Sequence, residues 1–172
     1  MSRTRLGALI CAVSALLGVT ACGSDTPGPV SITTSDAYSA AIRWYLDNNN
    51  VATPATSVSG DGGKPLIVYV APESGTAIDS QAQASVVAEM ADMTDQVTVR
   101  FADVREDALD TEAPELPVKD AGVLLIVGAV TQGPPPVDVD VDVYRSVDDQ
   151  TTFTMRITAS GDTFRATAVT GA

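Results

Sequence analysis

The residues that most invite a chemical reading are the three carboxylates of Val137-Asp-Val-Asp-Val-Asp-Val143. Strict alternation puts Asp138, Asp140 and Asp142 on one face of a strand and the valines on the other. Three acids on one face point first to weak cation binding, of calcium above all. The spacing argues against a tight site. Same-face positions on a strand lie about 6.6 to 6.8 Å apart, whereas calcium takes six to eight oxygens at about 2.3 to 2.6 Å, so a second segment would have to complete the shell. The alternative is a solvated sheet face, with Arg156 and Arg165 on neighbouring strands as charge partners.

A second set of acids would suit glycan hydrolysis, which needs two carboxyl groups about 5 to 10 Å apart across a sugar bond. Glu73 and Asp103 qualify by position, because each follows a strand of an expected parallel pair. In a chain with 22 Asp and Glu some pair always has suitable positions, and aromatic residues at 5% are sparse for a sugar cleft. Histidine is absent, which removes Ser-His-Asp and Cys-His catalysis, HExxH metalloproteases and most zinc or copper sites. No serine stands three residues before Lys64 or Lys119, so the Ser-x-x-Lys nucleophile is missing too. Gly60-Asp-Gly-Gly-Lys64 has glycines and a lysine, but Pro65 stands where a phosphate loop needs a hydroxyl, and the stretch precedes a strand instead of opening a helix. The chain therefore reads as non-catalytic, with no cofactor and no metal implied.

The elements that must position these residues follow from periodicity. Ser35 is the expected N-cap of a first helix that buries Tyr38, Ala41, Ile42 and Tyr45, with Trp44 and Leu46 beside them, and that stops in Asp47-Asn-Asn-Asn50. After a loop over residues 51–65, Leu66-Ile-Val-Tyr-Val-Ala71 is a continuous apolar run, as a strand covered on both faces requires. Ser80-x-x-Gln83 reads as a capping box before a second helix that carries Ala82, Val86, Val87, Met90 and Met93 on its apolar side. Val97, Val99 and Phe101 then alternate with polar residues in a second strand, which makes a right-handed parallel βαβ unit.

Residues 105–118 are acidic and interrupted by Pro114 and Pro117, and read as a surface loop with one helical turn. Gly122 to Val130 is the other continuous apolar run and hence the other central strand. Three antiparallel strands follow, over residues 137–147, 151–160 and 163–169, with turns at Asp148-Asp-Gln150 and Gly161-Asp162. Val137, Val139, Val141 and Val143 should share a buried face with Phe153, Met155, Ile157 and Ala159, and with Phe164, Ala166 and Ala168. A three-residue turn at 148–150 sets Asp142 opposite Arg156. The expected fold is α+β: one domain over residues 35–172, with a mixed sheet of five to six strands, a parallel βαβ unit followed by an antiparallel meander, packed against two main helices.

The first 22 residues carry an address. Met1-Ser-Arg-Thr-Arg5 is basic, Leu6 to Val19 is uncharged, and small residues surround Ala21 and Cys22. That is the layout of a secretory leader and not of a spanning helix, which needs about 20 apolar residues. Arg3 and Arg5 are not adjacent, so the twin-arginine route lacks its motif. Cys11, preceded by bulky Ile10, lies inside the apolar stretch and would leave with the leader.

Val19-Thr-Ala-Cys22, followed by Gly-Ser-Asp, resembles the lipobox of bacterial lipoproteins. The resemblance implies removal of residues 1–21, lipidation of Cys22 through diacylglyceryl and acyl groups, and a place on the extracytoplasmic face of the cell membrane. Residues 22–34 then form a lipidated tether, of which the stretch from Gly23, as a flexible coil, spans roughly 20 Å. Two lysines against eight arginines, in a background rich in Ala, Val, Thr, Asp and Gly, make the chain similar in style to uncharacterised lipoproteins of actinobacteria.

Losing residues 1–21 removes two of ten basic residues and no acid, leaving 8 against 22 and a net charge of −14. Nucleic acid is excluded as a partner, since its phosphates need basic patches. No cysteine would remain for a disulfide, so packing alone must hold the fold. The composition points to a non-catalytic binding or accessory module, with an envelope protein or a cell-wall component as partner. Two further expectations are a lipid or glycolipid carrier, if the valine and alanine faces enclose an apolar cavity, and the carboxylate-dependent glycan hydrolase.

Overall fold

The computed structural model describes residues 30–49, 65–73, 77–93, 95–161 and 163–169. The leader, Cys22 and the loop over residues 51–64 lie outside them. Among the described residues two α-helices, α1 (Thr34–Asn48) and α2 (Ser80–Met93), accompany six strands. These are β1 (Leu66–Pro72), β2 (Val97–Phe101), β3 (Val123–Val127), β4 (Val137–Ser146), β5 (Asp149–Ser160) and β6 (Thr163–Val169). They form one sheet in the order β2-β1-β3-β4-β5-β6. β2 and β3 run parallel to β1, and every later pairing is antiparallel. The fold is α+β, a parallel βαβ unit continued by a meander.

Both continuous apolar runs are interior strands, as expected of segments that must be dry on both sides. The side facing the helices collects Val68, Val70, Leu125, Val127, Val139, Val141, Met155 and Ile157. The other side collects Tyr69, Ala71, Leu124 and Tyr144 beneath Ala108, Leu109 and Val118 of the segment that joins β2 to β3. That segment is therefore more than a surface loop: it crosses the sheet and closes a second core. α2 carries the chain from β1 to β2 over one face, and the 102–122 crossover carries it back past β1 to β3 over the other. Opposite directions on opposite faces give both crossovers the same hand.

The helices differ from expectation in instructive ways. Ala37 to Ile42 are six consecutive buried residues, so that stretch of α1 has no solvent face. It lies against β5, β6 and α2, and Ile32 just before it is buried and donates its N–H to the Gly133 carbonyl at 2.7 Å. The folded unit thus begins within the expected tether.

The N-cap is Thr33 and not Ser35. Thr33 Oγ1 accepts from the Asp36 N–H at 3.3 Å while Asp36 Oδ2 accepts from the Thr33 N–H at 2.9 Å, a reciprocal box that Ser35, with Tyr38 three residues on, cannot form. In α2 likewise Asp79 takes the capping role, accepting from the Ala82 N–H at 2.8 Å, and Gln83 Nε2 donates to the Ile78 carbonyl. An ionised carboxylate is the stronger acceptor for the exposed N–H groups of a first turn. Only Ala82, Val86 and Met90 of α2 are buried; Val87 and Met93 face solvent.

The meander keeps the expected faces but not the expected register. β5 starts at Asp149, so the hairpin closes over Val147-Asp148, and a bulge at Arg145 shifts the ladder between Tyr144 and Ser146. The displacement is an even number of residues, so the valine face stays inward. Arg156 faces Asp138, and Asp142 faces Thr152. β6 joins β5 without a break in register, and Ala159, Ile157 and Met155 face Phe164, Ala166 and Ala168.

Candidate functional site

Two of the three carboxylates of β4, Asp138 and Asp140, have side-chain partners of their own. Arg156 lies directly across from Asp138 and donates from Nε to Oδ1 and from NH2 to Oδ2, both at 2.8 Å. This pairing is what holds the Asp138 carboxyl below its usual range. Asp140 Oδ1 accepts from Thr154 Oγ1 at 2.7 Å. Asp142 sits half-buried between Ile126 and Thr152. Among the described residues no three or more Asp, Glu, Cys or His side chains converge as a metal ion would need. The row works as a paired sheet face. Arg156 takes its expected part in it and Arg165, on β6, does not.

Glu73 and Asp103 follow β1 and β2, but Glu73 leans the other way. Its N–H donates to the Val127 carbonyl at 2.9 Å, and its Oε2 lies 3.4 Å from where a Cβ on Gly128 would stand. Asp140 Cβ borders the same point at 3.6 Å, so the acid beside Glu73 is Asp140, across β3.

The more structured constellation is one that alternation alone does not reveal, because its members come from β1, β2 and the crossover. Tyr69 and Arg100 are register partners on the parallel strands. The Tyr69 hydroxyl donates to Asp120 Oδ2 at 2.9 Å, and Arg100 NH1 donates to the same oxygen at 2.9 Å and to the Tyr69 oxygen at 3.2 Å. Burial, and then the hydrogen bond to Asp120, push the Tyr69 phenol above its ordinary value, with Arg100 acting in the opposite sense. That direction keeps the hydroxyl protonated, the reverse of an activated nucleophile. Both bonds fall on Oδ2, and among the described residues nothing donates to Asp120 Oδ1.

Asp120 sits where the crossover backbone is most strained. Leu116, Asp120 and Ala121 have φ of 46°, 58° and 52°, left-handed values that cost a residue with a Cβ about 1 to 2 kcal/mol each. Such strain persists only where surrounding contacts over-determine the chain. Here the Val118 N–H donates to the Arg145 carbonyl at 2.9 Å, and the Asp110 N–H donates to the Pro117 carbonyl at 2.8 Å. Tyr144 Oη donates to the Leu116 carbonyl at 2.9 Å, with the Arg105 guanidinium over the Tyr144 ring. Beside this frame opens a depression of about 460 Å³ lined by Asp110, Pro117, Val118, Lys119, Asp120 and Ala121. Lys119 Nζ is tied to the Asp107 carbonyl at 2.7 Å. Two acids and a lysine share this open depression with Pro117, Val118 and Ala121, so it is not the enclosed apolar chamber that a lipid carrier needs.

The expected aromatic core is in place: Tyr38 and Tyr45 are buried, and Trp44 packs edge-on against Phe153 with centroids 4.9 Å apart. Comparison with family models, with curated proteins and with solved structures returns no match.

Proposed function

We propose that this chain is a membrane-anchored lipoprotein of the cell envelope, held by acyl groups on Cys22, whose folded part acts as a non-catalytic binding module on the extracytoplasmic side. The observation that carries the reading is Val19-Thr-Ala-Cys22 at the end of an uncharged stretch that begins after Arg5. Each buried methylene contributes about 0.8 kcal/mol, so two or more chains suffice for stable anchoring. The net charge, −12 for the whole chain, supports a partner other than nucleic acid.

The Asp120 surface is the binding face this reading favours. A strained, multiply tied loop presents a half-exposed carboxylate beside a depression, and no activated nucleophile accompanies it. The partner is an envelope protein or a cell-wall component. The test is metabolic labelling with an alkyne-bearing fatty acid in the native host. The parent chain should take up label and fractionate with membranes, and Cys22→Ala should do neither. Equal labelling of both would defeat the proposal.

A further inference from the structure

β6 ends the sheet, and among the described residues no strand lies along its outer edge. Among the described residues it pairs only with β5, so the N–H and C=O groups of the alternate residues that point outward have no ladder partner. Natural sheets protect such edges with lysine, proline, bulges or very short strands. β2, the opposite edge, is five residues long. Thr163-Phe-Arg-Ala-Thr-Ala-Val169 lacks lysine and proline, its register with β5 is unbroken, and its one charge is Arg165; α1 packs against the same strand.

Three further observations define what fits there. β6 contains no acid in a chain that has 22, so a like-charged molecule can approach this strand closely. Phe164 and Ala166 on its inner face are only half-buried, and Ala168 and Val169 are exposed, so the apolar layer stops short at this edge. Arg165 is the one described basic side chain without a partner. Every other is engaged by a carboxylate, a carbonyl or an aromatic ring.

We propose that β6 pairs with β6 of a second copy of this chain, antiparallel and centred on Ala166, so that two six-stranded sheets run on as one. The strand is self-complementary in this register. Thr163 meets Val169 of the second copy, Phe164 meets Ala168, and Arg165 meets Thr167. Odd residues meet odd and even meet even, so the apolar side stays continuous across the junction and the polar side remains polar. No like charges stand directly opposite. The two-fold axis makes every contact occur twice, the arrangement of an isologous dimer.

The test measures the mass of the purified full-length chain in mild detergent by light scattering over a concentration series, beside two Thr167 variants. The mass should double with concentration. Thr167→Glu places an acid opposite Arg165 of the second copy, twice per dimer, and should tighten association by about twofold to thirtyfold. Thr167→Arg should weaken it by a similar factor, and both effects should shrink at 1 M salt. The double variant Thr163→Cys, Val169→Cys gives an independent check. With Cys11 and Cys22 replaced by serine, its two thiols are about 20 Å apart along one strand, too far to join within a chain, so disulfides form only between chains. A monomeric mass at every concentration in the parent and in Thr167→Glu would overturn the proposal. So would a dimer equally tight in both Thr167 variants and without cross-linking through the introduced thiols.

Discussion

Arg156 holds Asp138 through two bonds of 2.8 Å, straight across the β4–β5 ladder. Both side chains are about half exposed, so the pair specifies register more than it stabilises. The Asp138 carboxyl is shifted down in the folded chain. Its contribution is therefore fully present above the unfolded carboxylate value of about 3.9 and fades as pH falls through the lower folded value. Thermal melts of the parent and Asp138→Asn should converge as the pH is lowered below about 4. A double-mutant cycle should find coupling between Asp138→Asn and Arg156→Gln and none between Asp142→Asn and Arg156→Gln. The opposite pattern would restore the register that a three-residue turn implies.

Gly122 is irreplaceable for a reason of space. A Cβ there would stand 2.5 Å from the Ile67 carbonyl oxygen and 3.2 Å from that of Lys119, and backbone atoms cannot swing aside. Gly122→Ala should lower unfolding free energy by about 1 to 3 kcal/mol, as judged by urea denaturation. Gly133→Ala, where nothing lies within 4 Å, serves as the control.

Ala121, one residue earlier, makes the opposite prediction. Its φ of 52° suits glycine, so Ala121→Gly should be neutral or stabilising by up to about 1 kcal/mol, relief of strain outweighing the added freedom of the unfolded chain. Asp120→Gly relieves similar strain but removes the bonds from Tyr69 and Arg100 and should not stabilise. A gain in the Asp120 variant equal to that of Ala121→Gly would mean that the triad contributes nothing.

Leu125 is fully buried between the helices and the sheet. Leu125→Ala should cost about 2 to 5 kcal/mol in a urea melt. Val87→Ala, on the exposed side of α2, should change stability by less than about 0.5 kcal/mol.

What the sequence revealed, and what it concealed, divides along the range of the forces involved. The runs at Leu66 and Val123 identify interior strands because nothing but burial on two faces tolerates so many consecutive apolar residues. Valine alternation through β4 fixes its inward face, since a period of two admits one assignment. Register escaped because it depends on where one hairpin closes, and Asp148 and Asp149 are equally good turn residues. The caps escaped for a related reason: Thr33 and Ser35 both qualify locally, and only Asp36 decides between them.

The Tyr69–Arg100–Asp120 constellation was illegible for a different cause. Its members are separated by 20 to 51 residues and meet only because the crossover lies over β1 and β2. Their one local trace is the proline-interrupted acidic stretch at 105–118, which reads as a solvated loop until Ala108, Leu109 and Val118 are seen to close a core beneath it.

The central claim, that Cys22 bears lipid and the folded part hangs from a membrane, is reached most directly by mass spectrometry of the amino-terminal peptide of the chain extracted from native membranes. The expected peptide begins at residue 22 and carries the added mass of a diacylglyceryl group on sulfur. An unmodified peptide that includes residues 1–21, or one cut elsewhere with a free thiol at residue 22, would contradict it.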